Sequence, residues 1–312
     1  MIALGVDIGG TSIKGAAIKD DGTLLDSFSL PMDKKASPEV SFLSMCKVIE
    51  NFLKNKEYKD EIVGIGLGVP GILDKEKGII KYSPNMPLWD NFKIVDFVQK
   101  RLDLPVKILN DASSAALGEA RFGTGKNFHN IIMITLGTGV GGGIIIEDEL
   151  FDGNEGAGAQ IGHSIVELNG RQCSCGRKGC LEAYASATAL NKEANLQAKK
   201  HPESLLHTYS KIGCKEVFDA ARKGDETSIK VVDEYIKYLS EGILNFCKIF
   251  RPEIILLSGG VANEGQYLVD RVTEYIKVRE YGYKHSPEVL IKIGALGYDA
   301  GKYGAASLFF KK

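Results

Sequence analysis

Apolar residues at positions 2–6 stop at Asp7, and a turn containing Gly9 and Gly10 follows. Apolar positions then resume over 13–18 and end at Asp20-Asp21-Gly22. This pattern predicts strand, glycine turn, strand, hairpin turn, strand. It returns later in the chain: residues 131–136 are apolar, 137–143 read GTGVGGG, 144–146 are all Ile, and an acidic turn follows. Placing 7–11 over 135–139 aligns strand, turn and strand in both copies. The chain therefore reads as a duplicated fold with a cleft between two similar halves.

Between the copies, Ser37 and Pro38 open a helix as N-cap and first helical residue, with Phe42, Cys46, Ile49 and Phe52 as its apolar stripe. Residues 62–69 and 106–109 read as strands; the first runs into Pro70-Gly71, the second into Asn110-Asp111 and a helix beginning ASSAALGEA. Residues 217–250 carry helical patterning, and 254–257 form a buried strand that passes through Ser258-Gly259-Gly260 into another helix. A last helix spans about 302–310. Strands alternating with helices give the α/β class. The expected division is a smaller domain of 1–112 plus 302–312 and a larger one of 113–301.

The length of 312 residues exceeds one ordinary core and supports two domains. With 44% apolar and 25% charged residues, the composition is that of a soluble globular protein. Thirty-nine basic and 40 acidic side chains leave a net charge of −1, which gives no footprint for nucleic-acid binding. The opening MIALGVDIGG has no basic n-region and reaches Asp7 too early for a signal peptide. The longest uncharged run, 131–146, holds five glycines and falls short of the ~18 apolar residues of a membrane span. A cytoplasmic protein with reduced thiols is expected. Cys46, Cys214 and Cys247 are scattered and suit packing as small hydrophobes.

The other three cysteines carry chemistry. Cys173, Cys175 and Cys180 fall within eight residues and follow His163. Three thiols and an imidazole are the donor set of a closed, tetrahedral, structural zinc site with no open position for a reacting water. The C-x-C-x4-C spacing does not fit generic zinc fingers.

The run 137–142 formally satisfies G-x-G-x-x-G, but a dinucleotide fingerprint must open a helix, and Ile144, Ile145 and Ile146 favour a strand. It reads instead as a hairpin turn whose amides, with the Thr138 hydroxyl, hold phosphate oxygens; Gly139 would face the nucleotide too. The equivalent turn in the first copy holds Gly9, Gly10 and Thr11 and adds Asp7, a carboxylate able to act through Mg2+, with Lys14 near the phosphates. Gly259 and Gly260, at a strand-to-helix junction, suit a nucleotide contact at a helix N-terminus. Each loop read alone fits an ordinary glycine-rich turn equally well; the duplication favours a nucleotide clamp.

Asn110 and Asp111 sit where a strand gives way to a helix. Both cap helices well, yet a carboxylate at a strand end is also placed to take a proton from an alcohol, and the helix dipole would hold it ionised. Gly71, Asn85, His163 and Glu182 are candidate lining for a polyol pocket, with zinc fixing the orientation of the His163 ring.

The segments DIGGTSIKG, GVPG, SPNMPLW, ND, LGTGVGGG, GAQIGH, CSCGRKGCLE and LSGGV resemble, in order and over essentially the whole chain, those of the ROK family of repressors and bacterial sugar kinases. The resemblance implies an actin-like, RNase H-type fold acting on hexose and MgATP. It implies Asp111 as the base for the sugar 6-hydroxyl and Gly71, Asn85, Asn110, His163 and Glu182 as hexose contacts. Gly9, Gly10, Thr11, Thr138, Gly139 and Gly260 would face ATP, and the four-donor set would bind Zn2+. It further implies a homodimer or homotetramer. One position departs: the family commonly carries Glu three residues before the zinc histidine, and this chain has Gln160. A neutral amide bonds a hydroxyl roughly half as strongly as a carboxylate. Glucose is the expected acceptor, with mannose, fructose and N-acetylmannosamine as alternatives. ROK repressors carry a helix-turn-helix ahead of the first strand, for which a strand starting at Ile2 leaves no room. A non-catalytic, zinc-stabilised sugar module is the third reading, and Asp111 with both loops argues against it.

Overall fold

The computed structural model describes residues 1–33, 35–83 and 86–311. The chain begins β1 (Ile2–Ile8), β2 (Ser12–Lys19), β3 (Leu24–Pro31), α1 (Pro38–Leu53), β4 (Ile62–Val69), β5 (Ile72–Asp74) and β6 (Ile79–Tyr82). Next come α2 (Ile94–Leu102), β7 (Val106–Asn110), α3 (Asp111–Phe122), β8 (Ile131–Leu136), β9 (Val140–Ile146) and β10 (Glu149–Phe151). It ends with α4 (Glu182–Ala185), α5 (Ala187–Lys200), α6 (Cys214–Arg222), α7 (Glu226–Phe250), β11 (Ile254–Ser258), α8 (Gln266–Lys277), β12 (Leu290–Ile293) and α9 (Ala300–Ala306). Among the described residues no helix is long and apolar enough to cross a membrane.

Two five-stranded sheets have the orders β3-β2-β1-β4-β7 and β10-β9-β8-β11-β12. The matching orders bear out the duplication. The first glycine turn lies between Ile8 and Ser12, the second between Leu136 and Val140, as the superposition of 7–11 on 135–139 requires. In the first sheet β1 and β2 are antiparallel, while β1, β4 and β7 are parallel. In the second, β8, β11 and β12 are parallel.

Contact density divides the chain into one unit of 1–127, 143–159 and 295–312 and another of 128–142 and 160–294. The grouping keeps α3 with the first unit because it packs along α9, whereas the sequence reading put the boundary within it, near Ser113. In the second unit α7 is 25 residues long and forms the spine against which α4, α5, α6 and α8 lie.

Strand β1 alternates large and small side chains. Ile2, Leu4, Val6 and Ile8 join a core with Phe42, Met45, Ile49 and Trp89, the last fully buried. Ala3 faces the opposite way, packed with Ala306 and Phe310. Small residues on that side let α9 lie directly on backbone. A Cβ at Gly5 would overlap the Lys302 carbonyl, one at Gly66 that of Ala305, and one at Gly304 that of Ser114 in α3.

The helix expected from Ser37 forms, with Ser37 Oγ accepting from Val40 N–H at 3.4 Å. Its buried stripe runs through Phe42, Met45, Cys46, Ile49 and Leu53, while Phe52 is only partly buried. The closing helix starts earlier than expected, at Ala300, and its last turn tightens to a 3-10 turn over Ser307–Phe309. After β11 the chain does not enter a helix at Gly260: a 3-10 turn over Gly260–Glu264 intervenes and α8 starts only at Gln266. The proposed dipole contribution at Gly259 and Gly260 therefore does not come from α8.

Gly304→Ala is expected to lower the unfolding free energy by about 3 kcal/mol or more, through overpacking against a backbone that cannot yield. Gly137→Ala, whose Cβ would meet nothing within 4 Å, should leave stability nearly unchanged. Paired urea titrations check both; equal losses would contradict the packing analysis.

Candidate active site

The first unit gathers its polar groups at the C-terminal ends of β1, β4 and β7, the edge where open α/β sheets bind ligands. Register sets Asp7 opposite Lys14 on β2 and beside Gly68 on β4, and Val69 beside Asn110 on β7. Asn110 caps α3: its Oδ1 accepts from Ala112 and Ser113 N–H at 3.0 and 3.2 Å. Its Nδ2 donates to the Gly71 carbonyl at 3.0 Å, so the cap also fixes the turn after β4. Gly71 has φ 112°, and a Cβ there would overlap the Tyr82 carbonyl. Asp111 is the first residue of α3, with Oδ1 accepting from Ala112 N–H at 2.9 Å.

The two carboxylates are electrostatically linked. Burial, then the charges of Asp111 and Asp299, push Asp7 up to about 7, against the pull of Lys14 and Lys302. Burial also raises Asp111, outweighing the Ala112 amide, its own amide and the Asn110 side chain. The amides at the helix terminus favour the Asp111 carboxylate, as its place at the start of α3 predicts, and desolvation opposes them as the larger effect. A base with a raised pKa is better matched to accepting an alcohol proton near neutrality.

Lys302, its partner Asp299 and Ser114 were not anticipated from the sequence. Lys302 is 5% exposed and pairs with Asp299 at 2.8 Å. Ser114 Oγ is fully buried with no hydrogen-bond partner among the described residues, and a Cβ at Gly68 would come within 3.2 Å of it and 3.5 Å of Asp7 Oδ1. The available signal was a lone charge in the small-residue run AGKYGAA.

The second unit holds the other glycine turn and the cysteine cluster. Thr138 stands exposed at the turn's tip, and Gly137 N–H donates to the Gly139 carbonyl at 3.0 Å. The Thr138 and Gly139 amides have no protein acceptor among the described residues. Ser258 pairs beside Thr135, and Gly259, at φ 87°, packs on the Leu136 backbone. Gly259 and Gly260 thus sit at the strand end adjoining the turn. In the first unit Gly9, Gly10 and Thr11 form the matching turn, closed by Gly9 N–H to the Ser12 carbonyl at 3.0 Å.

His163, Cys173, Cys175 and Cys180 bring their donor atoms within 4.8 Å of one another. His163 Nδ1 lies 3.7 Å from Cys173 Sγ, and Cys175 Sγ 3.6 Å from Cys180 Sγ. Donors about 2.3 Å from a tetrahedral ion stand about 3.8 Å apart, so the set fits one metal. Burial and the neighbouring Cys175 and Cys173 push Cys180 up to about 12. The loop is braced from outside: Arg171 stacks over Tyr184 and donates to Glu193 of α5 at 2.7 Å and Glu234 of α7 at 2.8 Å.

Glu182, expected at a sugar, accepts from Val140 N–H at 3.0 Å and from Ser174 Oγ at 2.9 Å. Gln160 is exposed and its carbonyl accepts from His163 N–H at 3.0 Å. Asn85 lies outside the described residues. Each unit therefore assembles its own share of the expected residues: 7, 9–11, 14, 71, 110 and 111 in the first, and 138, 139, 160, 163, 173, 175, 180, 182, 259 and 260 in the second.

The Asp7 shift has a stability consequence. Because its folded pKa is raised from 3.8 to about 7, the folded state keeps a proton that the unfolded chain has released. That contribution is complete below the unfolded value and is lost as pH rises through the folded one. Asp7→Asn removes it, so from about pH 4 to about pH 8 the variant should gain roughly 2–4 kcal/mol relative to wild type. Urea melts across that range would expose the error if the difference stayed flat.

The profile of the ROK family matches residues 3–312. A glucokinase of Thermotoga maritima is 35% identical over 315 residues, spanning 98% of this chain and 96% of that protein. A xylose repressor of Bacillus spizizenii is 29% identical over 307 residues, spanning 98% of this chain and 76% of the repressor. The crystal structure of a ROK family glucokinase from Streptomyces griseus in complex with glucose and AMPPNP is 32% identical, covers 99% of both chains and superposes with a TM-score of 0.85. The duplicated sheets and a family match running nearly end to end agree: this chain belongs to the ROK family and has its actin-like α/β fold.

Proposed function

We propose that this sugar kinase transfers the γ-phosphoryl group of ATP to the 6-hydroxyl of glucose. The observation that carries the reading is the convergence at the ends of β1, β4 and β7, where the charge of Asp111 raises Asp7 and the Asn110 side chain favours the Asp111 carboxylate. The glucokinase relatives and the glucose–AMPPNP complex of a family member support the choice of acceptor and donor.

In this mechanism Asp111 accepts the hydroxyl proton as the sugar oxygen attacks Pγ. The new O–Pγ bond forms as the bond from Pγ to the bridging β,γ-oxygen breaks, and the electron pair leaves with ADP. The transition state of phosphoryl transfer is loose, so alignment of the alcohol matters more than the strength of the base. Asn110 supplies part of that alignment by locking its own strand end to the Gly71 turn. Asp7 is the residue that would hold Mg2+ through its waters, and the metal would neutralise charge on the β- and γ-phosphates. Exposed amides of the Gly9–Thr11 and Gly137–Gly139 turns stabilise charge that grows on the phosphates.

The His163–Cys173–Cys175–Cys180 set holds a structural zinc in this reading, for its four donors complete a tetrahedron. Gln160, neutral where the family commonly has Glu, keeps mannose, fructose or N-acetylmannosamine as the second reading for the acceptor.

Asp111→Asn should lower kcat by a factor of ~10²–10⁴ and leave glucose affinity within about threefold. Steady-state assays of ADP release with a hexose panel and MgATP measure both, and near-normal turnover in that variant ends the assignment. Cys175→Ser or a strong chelator should remove the zinc and lower the melting temperature by roughly 5 °C or more. Elemental analysis of freshly purified protein should find about one zinc per chain; protein lacking zinc and melting unchanged would refute the metal site.

A further inference from the structure

The glycine turn between β8 and β9 holds itself together with one internal bond, Gly137 N–H to the Gly139 carbonyl. Three more bonds reach it from a single short stretch. Ala187 N–H donates to the Gly137 carbonyl at 2.8 Å, and Thr188 Oγ1 donates to the Thr138 carbonyl at 2.7 Å. Glu182 Oε2 accepts from Val140 N–H at 3.0 Å. A Cβ at Gly139 would overlap Glu182 Oε2, so this glycine is what lets the carboxylate tuck beneath the turn.

The stretch is itself firmly held. Ser186 is 3% exposed and caps α5 through Ala189 N–H at 3.1 Å, which leaves the Ala187 amide for the turn. The other oxygen of Glu182 takes the Ser174 hydroxyl, on the loop between two cysteines of the four-donor cluster.

Peptide planarity gives these bonds a direction. In a trans peptide the carbonyl of one residue and the N–H of the next point opposite ways. Holding the Gly137 carbonyl therefore aims the Thr138 N–H away from α5, and holding the Thr138 carbonyl does the same for the Gly139 N–H. These are the two amides with no protein acceptor among the described residues. Without the clamps, a turn with glycines at 137 and 139 would sample many conformations, and a bound anion would have to order it.

We propose that Thr188, with Ala187 and Glu182, is the mount that aims the Thr138 and Gly139 amides at the nucleotide phosphates, making Thr188 a positioning residue for nucleotide binding. The inference rests on the reading that this turn holds phosphate. Thr188 is exposed at the start of α5, and its hydroxyl serves the turn rather than its own helix.

Thr188→Val keeps the shape and deletes the hydroxyl; Thr188→Ser restores it. Calorimetry with MgADP should show Thr188→Val binding about 5- to 10-fold more weakly, the effect of losing one hydrogen bond. KM for ATP should rise by the same factor with kcat little changed, while glucose affinity and zinc content match wild type and Thr188→Ser returns to near wild type. Hydrogen exchange over 137–143 with and without MgADP separates the two levels. Protection in wild type with unaltered MgADP affinity in Thr188→Val overturns the mount alone. No protection of these amides overturns the phosphate reading of the turn and the mount with it.

Discussion

The close seating of α9 on bare backbone is the constraint on which the first unit's chemistry depends. Gly5 and Gly66 on the sheet and Gly304 on the helix remove the side chains that would hold the layers apart. Gly301 does the same beside the carboxylate, since a Cβ there would stand 2.7 Å from Asp7 Cγ. Such a seam has no slack, because its contacts are between carbonyls and α-carbons rather than rotatable side chains. Asp7 is consequently held at a fixed depth, and that depth sets its desolvation.

Desolvation then organises the charges. Two carboxylates share the strand ends, and burial raises both. The seam that buries Asp7 also delivers Lys302, a buried ammonium paired with Asp299, from the same short helix. The entry to that helix is pinned by Glu119, fully buried in α3, whose carboxylate accepts from Ala295 and Leu296 N–H at 3.1 and 2.7 Å and from Thr124 N–H at 2.9 Å. Buried charge is tolerated here because each group meets a cation or several amides.

The duplicated topology is used differently in the two units. Both place a three-residue turn between the first two strands of a five-stranded sheet. In the first unit the turn follows a carboxylate whose surroundings are tuned by α9. In the second it follows Thr135, whose Oγ1 accepts from Gly141 N–H at 3.2 Å, and the turn is steadied by the stretch after the last cysteine. The same topology thus carries a carboxylate before its turn in one unit and a neutral threonine before its turn in the other.

Local chemistry made much of this legible beforehand. The strand–turn–strand repeats, the Ser37 cap, the limits of β4, the cap at Asn110 and the four-donor cluster all depend on neighbouring residues, and the sequence carries them directly. The burial of Asp111 was not legible beforehand, because a helix terminus is a local signal whereas burial comes from elements distant in the chain. The turn after Gly259 was misjudged because a 3-10 segment and an α-helix share their first residues' preferences. Lys302, Ser114 and Thr188 were not singled out as functional candidates, since what each touches lies on segments distant in the chain. Local pattern was enough for most of the elements, the α/β class and the four-donor cluster. Only the tertiary structure decided which carbonyls are clamped, how deeply Asp7 is buried and which cation accompanies it, because those follow from close approaches between segments far apart in the chain.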